Sequence, residues 1–382
     1  MSASQSEELT LHRAKLTMGK DQYELSDAPS DSISSLKFAP QTPTRLLVAS
    51  WDKNVYLFDI QNEGQILHKY EHRAPVVDIC YGDTDDVAFS CGLDWDVRRY
   101  SSPCLRRNLL LIYHRINLTT GDQEVLSSHA AGVKSIVYSQ QTKLLISGSW
   151  DSTLHVHPLS EPTHPPCTVT LPSKPFSLSL TPTKLVVAMA NRVVYVYSLT
   201  NLSDLCKQAH AKGASDITID PTPIQQRESS MKFMTRCVAC MPNDLGYATS
   251  SIEGRIAVDW FDESEEAQKK KYAFKCHRVM ENDVDVVYPV NALIFHPKHQ
   301  MSFASGGGDG HVSLWDGGAK RRIRQYQRFP SSVAALAFSC DGNYLAVGVS
   351  PGFEDGKEDP DGVVRIIIRE GLNEEAKGKG SK

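Results

Sequence analysis

A short unit recurs seven times along the chain, and that recurrence limits the fold more than any single motif does. An apolar run leads into a tight turn carrying an acidic residue or glycine, and a second apolar run follows. The clearest copies are RLLVASWD–KNVYLFDI (45–60), KLLISGSWD–STLHVHPL (143–159) and MSFASGGGDG–HVSLWDGG (301–318). Weaker copies are DVAFSCGLD–WDVRRY (86–100), KLVVAMAN–RVVYVYSL (184–199) and GYATSSIEG–RIAVDWFD (246–262), and the last is YLAVGVSPG with GVVRIIIRE (344–370). A strand-like stretch precedes each pair, as in ISSLKFAP (33–40), GVKSIVYS (132–139) and VNALIFHP (290–297). A fourth run, such as QILHKYEH (65–72) or RRIRQYQR (321–328), closes the unit.

Apolar-polar alternation over five to eight residues marks a half-buried strand. Four short strands per roughly 40–45 residues is the period of a WD40 blade. The fold class expected is therefore all-β, a seven-bladed WD40 β-propeller without a long helix, in which a closed ring protects the sheet edges. The seventh copy ends at RIIIRE without a fourth strand, whereas QYELSDA (22–28) offers one at the start. The ring is expected to span 22–369 and to be closed by that N-terminal strand. Residues 1–21 and 370–382 read as flexible tails.

The repeat spacing breaks in two places. Asp52 to Asp94 is 42 residues and Asp151 to Asn191 is 40, but Asp94 to Asp151 is 57. Removing residues 99–114 restores a spacing of 41. That apolar, basic stretch reads either as a retained intron, hence a non-native insert, or as a surface insertion; transcripts carrying these codons would exclude the first. The other break is a long connection over 201–224.

Composition narrows the function. The chain has 41 basic and 45 acidic residues, a formal charge of −4, so no global positive field draws it to nucleic acid or to a membrane. It has no run of 18 apolar residues and no signal-peptide pattern, and its nine irregularly spaced cysteines read as buried thiols of an intracellular protein, not as a disulfide framework. Asp52, Asp94, Asp151 and Asp309 sit at one repeat position, where a carboxylate can cap its own turn or pair with His72 or His129. Cys237 and Cys240 form a lone C-x-x-C without a second ligand pair, so no metal is expected. GGGDG (306–310) lacks the helix start and Lys-Ser/Thr of a phosphate loop. No catalytic residue, cofactor or enzymatic activity is expected.

Trp51, Trp150 and Trp315 read as packing residues, with rim exposure of Trp51 as the alternative. KKK (269–271) reads as a solvated loop. Arg236, Arg255, Lys275 and Arg278 stand out because the repeat brings them towards one rim of the fifth blade. Arg236 falls on its first strand, Arg255 just after its IEG turn, and Lys275 and Arg278 at the end of its fourth strand. Separate surface charges with local partners are the alternative.

SSIEGRIAVDWFD (250–262), KKKYAFKCHR (269–278), YPVNALIFHP (288–297), ISSLKFAP and LLVASWD are together specific. Over residues 22–369 the sequence resembles the spindle-assembly-checkpoint propeller family of the "budding uninhibited by benzimidazole" series. The nuclear-pore mRNA-export propeller is related to that family and shares part of the pattern; Asp259 and KYAF before KCHR favour the checkpoint family. The resemblance implies a non-catalytic, nuclear and kinetochore adaptor. Its partners would be the GLEBS segments of the checkpoint kinase and its kinase-like relative, and phosphorylated MELT repeats of the kinetochore scaffold. Arg236 and Arg278 would pair with GLEBS glutamates, Trp51 would join that site, and Arg255 and Lys275 would hold the phosphothreonine. An mRNA-export adaptor is the alternative function. A ubiquitin-ligase receptor would need a ligase-binding module that the sequence does not show.

Overall fold

The computed structural model describes residues 21–61, 64–101, 122–160, 164–213, 217–352 and 362–377. Seven sheets form the ring, each of four antiparallel strands running from an inner strand to an outer one, and the blade 3 sheet gains a short parallel fifth strand, Ile217–Thr218. Blade 1 is Ile33–Phe38, Arg45–Ser50, Asn54–Asp59 and Gln65–Glu71. The second strands are buried over nearly their whole length, and end to end in Leu144–Ser149, because adjacent blades cover both their faces. Their apolar runs are accordingly continuous where the inner strands alternate. Between blades 7 and 1, for example, Leu36, Val48 and Phe58 pack with Ala335, Ala346 and Ile368.

Blade 7 closes as the N-terminal strand predicts. Gln22–Glu24 pairs antiparallel with Arg365–Arg369, completing the sheet begun by Val333–Phe338 and Leu345–Val349. Leu25 follows that strand into the core at 1% exposure. At the hub, Asp78 ties three inner strands together. Its Oδ1 accepts from Ser35 Oγ at 2.8 Å and its Oδ2 from Ser135 Oγ and the Ile136 amide, both at 3.0 Å.

The repeated aspartates are structural. His72 Nδ1 lies 3.1 Å from Asp94, His129 Nδ1 3.2 Å from Asp151 and His277 Nδ1 2.8 Å from Asp309. In blade 6 the chain of contacts continues through His277 Nε2 to Ser305 Oγ, which also accepts from Trp315 Nε1 at 2.8 Å. Blade 2 has Ser90 and Tyr100 in the corresponding places. Blade 1 has no histidine there, and Asp52 instead accepts from Tyr56 and from the amides of Ser30 and Asn54.

Four expectations need revision or restriction. The 201–224 connection begins as a helix, Leu199–His210, capped by Ser198 and burying Leu199, Leu202 and Cys206. Residues 370–377 are not a free tail: Leu372–Glu375 is a helical turn whose Leu372 is fully buried, and Ser302 donates to the Ala376 carbonyl. Of the 99–114 stretch, Arg99, Tyr100 and Ser101 belong to the third strand of blade 2, where Tyr100 is buried, and 102–114 lie outside the described residues. The 1–20 tail also lies outside them.

Candidate functional site: the basic rim of the fifth blade

Strand register places the basic residues on one face. In blade 5, Thr235–Cys240 starts opposite the end of Gly246–Ser251, with Thr235 across from Ser251. Arg255–Trp260 then begins beside the end of Tyr272–Lys275. The start of the first strand, the second turn and the end of the fourth strand therefore share one rim. Arg255 and Lys275 are direct cross-strand partners, so their side chains leave the same face of the sheet.

Their surroundings differ. Arg255 Nε lies 3.5 Å from Glu253, whose other carboxylate oxygen accepts from the Lys232 amide. The exposed Lys275 ammonium has no ion-pair partner among the described residues. The three lysines of 269–271, by contrast, are matched locally by Glu265, Glu266 and Asp259. The fifth-blade rim thus carries two neighbouring cations, one paired with Glu253 and one without an ion-pair partner among the described residues.

Arg236 reaches the rim through an irregularity shared by all seven blades. Each inner strand skips one residue in its pairing: Ser34, Val77, Lys134, Phe176, Arg236, Asn291 and Ala334. Such a bulge re-aims the extra residue, and all seven line the central channel, a cavity of about 400 Å³. Arg236 Nε donates to Asn291 Oδ1 at 3.2 Å, and Asn291 Nδ2 donates to Ser332 Oγ at 3.0 Å, which fixes the guanidinium's direction.

Arg278 is a correction. The fourth strand stops at Lys275, and Arg278 opens a separate hairpin, Arg278–Glu281 with Val284–Val287, between blades 5 and 6. The chain breaks there because His277, at φ 48°, turns inward to reach Asp309. Arg278 donates to Asp285 at 2.6 Å and to the Glu253 carbonyl at 2.9 Å. Glu253 therefore touches both Arg255 and Arg278. Its place in the turn just before Arg255 was the one available sequence signal; nothing in the repeat pattern marked Asp285.

Apolar surface accompanies the charges. Trp51 is 46% exposed at the corresponding turn of blade 1, so it takes the rim position and not the packing one. Trp95 and Ile252 in the equivalent turns of blades 2 and 5, and Phe233 and Met234 just before the first strand of blade 5, are exposed at the same rim, and Met280 is exposed on the hairpin. Trp315 is buried in the blade 6 network, as a packing residue should be. Cys240 is buried and its thiol is pushed up to about 12 by that burial, which keeps it protonated and a poor metal ligand. Among the described residues no three His, Cys, Asp or Glu side chains form a metal-binding group.

The ring of four-stranded blades with Asp–His–Ser networks defines a WD40-repeat propeller, and the "WD domain, G-beta repeat" family matches residues 19–59, 122–157 and 270–316. The chain is 41% identical over 339 residues to "Mitotic checkpoint protein BUB3.1" of Arabidopsis thaliana, covering 88% of each chain. It is 37% identical over 356 residues to "Mitotic checkpoint protein bub3" of Dictyostelium discoideum, covering 92% of this chain and 95% of that one. "Poly(A)+ RNA export protein" of Schizosaccharomyces pombe is more distant, at 28% over 342 residues. The chain belongs to the Bub3 family of WD40 propellers.

Proposed function

We propose that this protein is a non-catalytic adaptor of the mitotic checkpoint, acting in the nucleus and at kinetochores in mitosis. It binds the GLEBS segments of the checkpoint kinase and its kinase-like relative across the rim, through Arg236, Arg278 and Trp51. It reads phosphorylated MELT repeats of the kinetochore scaffold through Arg255 and Lys275. The observation that carries this reading is the cross-strand pairing of Arg255 with Lys275 on a rim shared with Arg236.

A phosphothreonine brings about −1.5 to −2 charges and three strong acceptor oxygens near neutral pH. Arg255 supplies a planar fork and Lys275 a point charge, and both form charge-assisted hydrogen bonds that a bare threonine cannot match. The test titrates phosphorylated and unphosphorylated MELT peptides against wild type, Arg255→Ala and Lys275→Ala, with a GLEBS peptide already bound. Wild type should prefer the phosphopeptide, Arg255→Ala should lose most of that preference and Lys275→Ala somewhat less. Equal affinity of wild type for both peptides removes the phosphate-reading mechanism. The mRNA-export reading is decided separately, by whether a checkpoint kinase or a nucleoporin co-purifies from mitotically arrested cells.

A further inference from the structure

Lys134 occupies in blade 3 the bulge position that Arg236 occupies in blade 5, and Phe176 of blade 4 stands between them. All three line the mouth of the central channel. We propose that Lys134 is a further anion contact of this mouth, binding an acidic side chain of the same peptide segment that Arg236 holds. The inference rests on the GLEBS reading above and adds a residue to it.

Three observations support it. First, Lys134 is half-buried in the channel wall and has no ion pair or hydrogen bond to its ammonium among the described residues. Second, the nearest acid cannot serve it well. Asp78 already accepts four hydrogen bonds, from Ser35 Oγ and the Ile79 amide on one oxygen and from Ser135 Oγ and the Ile136 amide on the other. Third, Lys134 shares its cavity with a cation already assigned to the peptide. Lys134 and Arg236 line one channel from blades 3 and 5, and the Arg236 charge is felt at Lys134, so a segment held by Arg236 at this mouth also comes within the field of the lysine.

The energetics agree with the geometry. Burial lowers the Lys134 pKa, the Asp78 charge opposes this and the neighbouring Arg236 adds to it. A cation withdrawn from water without a counter-ion is unfavourable, and a carboxylate delivered by a ligand relieves that cost. Phe176 gives the peptide an apolar surface between its two charged contacts. A lysine, unlike an arginine fork, accepts a carboxylate from a range of directions.

The experiment measures calorimetric affinity of the checkpoint-kinase GLEBS peptide for wild type, Lys134→Met and Lys134→Arg. It repeats each titration with peptides in which one acidic residue at a time is changed to its amide, and records melting temperatures of the three proteins. Lys134→Met should bind the parent peptide about tenfold more weakly, and Lys134→Arg should recover to within about threefold of wild type. One amide peptide should bind wild type and Lys134→Met equally, and that peptide should differ from those coupled to Arg236 and Arg278. Unchanged affinity of Lys134→Met overturns the inference and leaves the GLEBS reading intact. A loss that is the same for every amide peptide also overturns it, because the lysine then acts on the fold and not on a carboxylate. If wild type does not bind the parent peptide, the GLEBS reading fails and this inference fails with it.

Discussion

In the free protein Arg278 donates to Asp285 and to the Glu253 carbonyl, so a ligand carboxylate must compete with a neighbour that is already in place. Asp285 is 42% exposed on its side chain, and a pair of that kind is worth about 1 kcal/mol or less. Asp285→Asn should therefore tighten GLEBS-peptide binding by about twofold to fivefold in calorimetry; weaker binding would mean that Asp285 aims the guanidinium instead. The titrating residues give a second test. In blade 3, His129 and His155 stack at 3.6 Å, and Ser127 Oγ contacts both His155 and His157. Burial, reinforced by the neighbouring imidazoles, lowers His155 to about 4 and His157 to about 3. The unfolded chain then binds more protons than the folded one below about pH 6.5, so stability falls as pH drops from there towards 4. Burial works against the Asp309 carboxylate, but the His277 hydrogen bond and charge and the His311 amide outweigh it and hold its pKa low, so its contribution is lost at still lower pH. Melting temperature should decline from pH 7 to pH 5, and less steeply in His155→Phe; an unchanged slope would contradict the assignment. Arg236, Arg255 and Lys275 were legible at this scale because repeat period alone fixes their rim. Arg278 was misplaced because the inward turn of His277, two residues beyond Lys275, leaves no trace in an apolar pattern.

Elements added to the repeat were the least legible. The helix Leu199–His210 shows Ser198 as a cap and Leu199, Leu202 and Cys206 at helical spacing, but a blade-by-blade reading treats the whole connection as loop. The last turn, Leu372–Glu375, is too short for periodicity to mark it. Its packing is nonetheless substantial: Glu375 accepts from Tyr326 OH at 2.7 Å and lies 3.2 Å from Arg369, whose guanidinium sits 4.1 Å from the Tyr326 ring centroid. Ending the chain after Gly371 should lower unfolding free energy by about 3 kcal/mol, mostly through loss of the buried Leu372. Denaturant titration reads this directly. A variant as stable as wild type would show the docked turn to be energetically idle.

At the scale of the whole ring the sequence was most informative, because seven copies of one unit that cannot bury its faces alone leave few arrangements other than closure. The closing strand itself could be inferred from a deficit: the last copy lacked a fourth strand and the chain's start supplied one. Removing residues 1–28 should therefore harm every blade's support and not only trim an end. Loss of the Gln22–Glu24 pairing and of Leu25 from the core should lower the melting temperature by roughly 10 °C or more. A truncated protein melting with wild type would show that three strands suffice for blade 7.

That seam also sets a timetable for synthesis. The residues it joins are far apart in sequence, with Arg365 against Glu24 and Arg369 against Gln22 at separations of 341 and 347. A ribosome adding about 5–20 residues per second needs roughly twenty to seventy seconds to bring the second partner out after the first. For that interval a growing arc of blades carries an unmatched inner face at each end and a short N-terminal strand with nowhere to dock. The nascent chain thus needs protection from other open edges until codon 369 has been read, and a pause anywhere between the two partners would prolong that exposure by its own length.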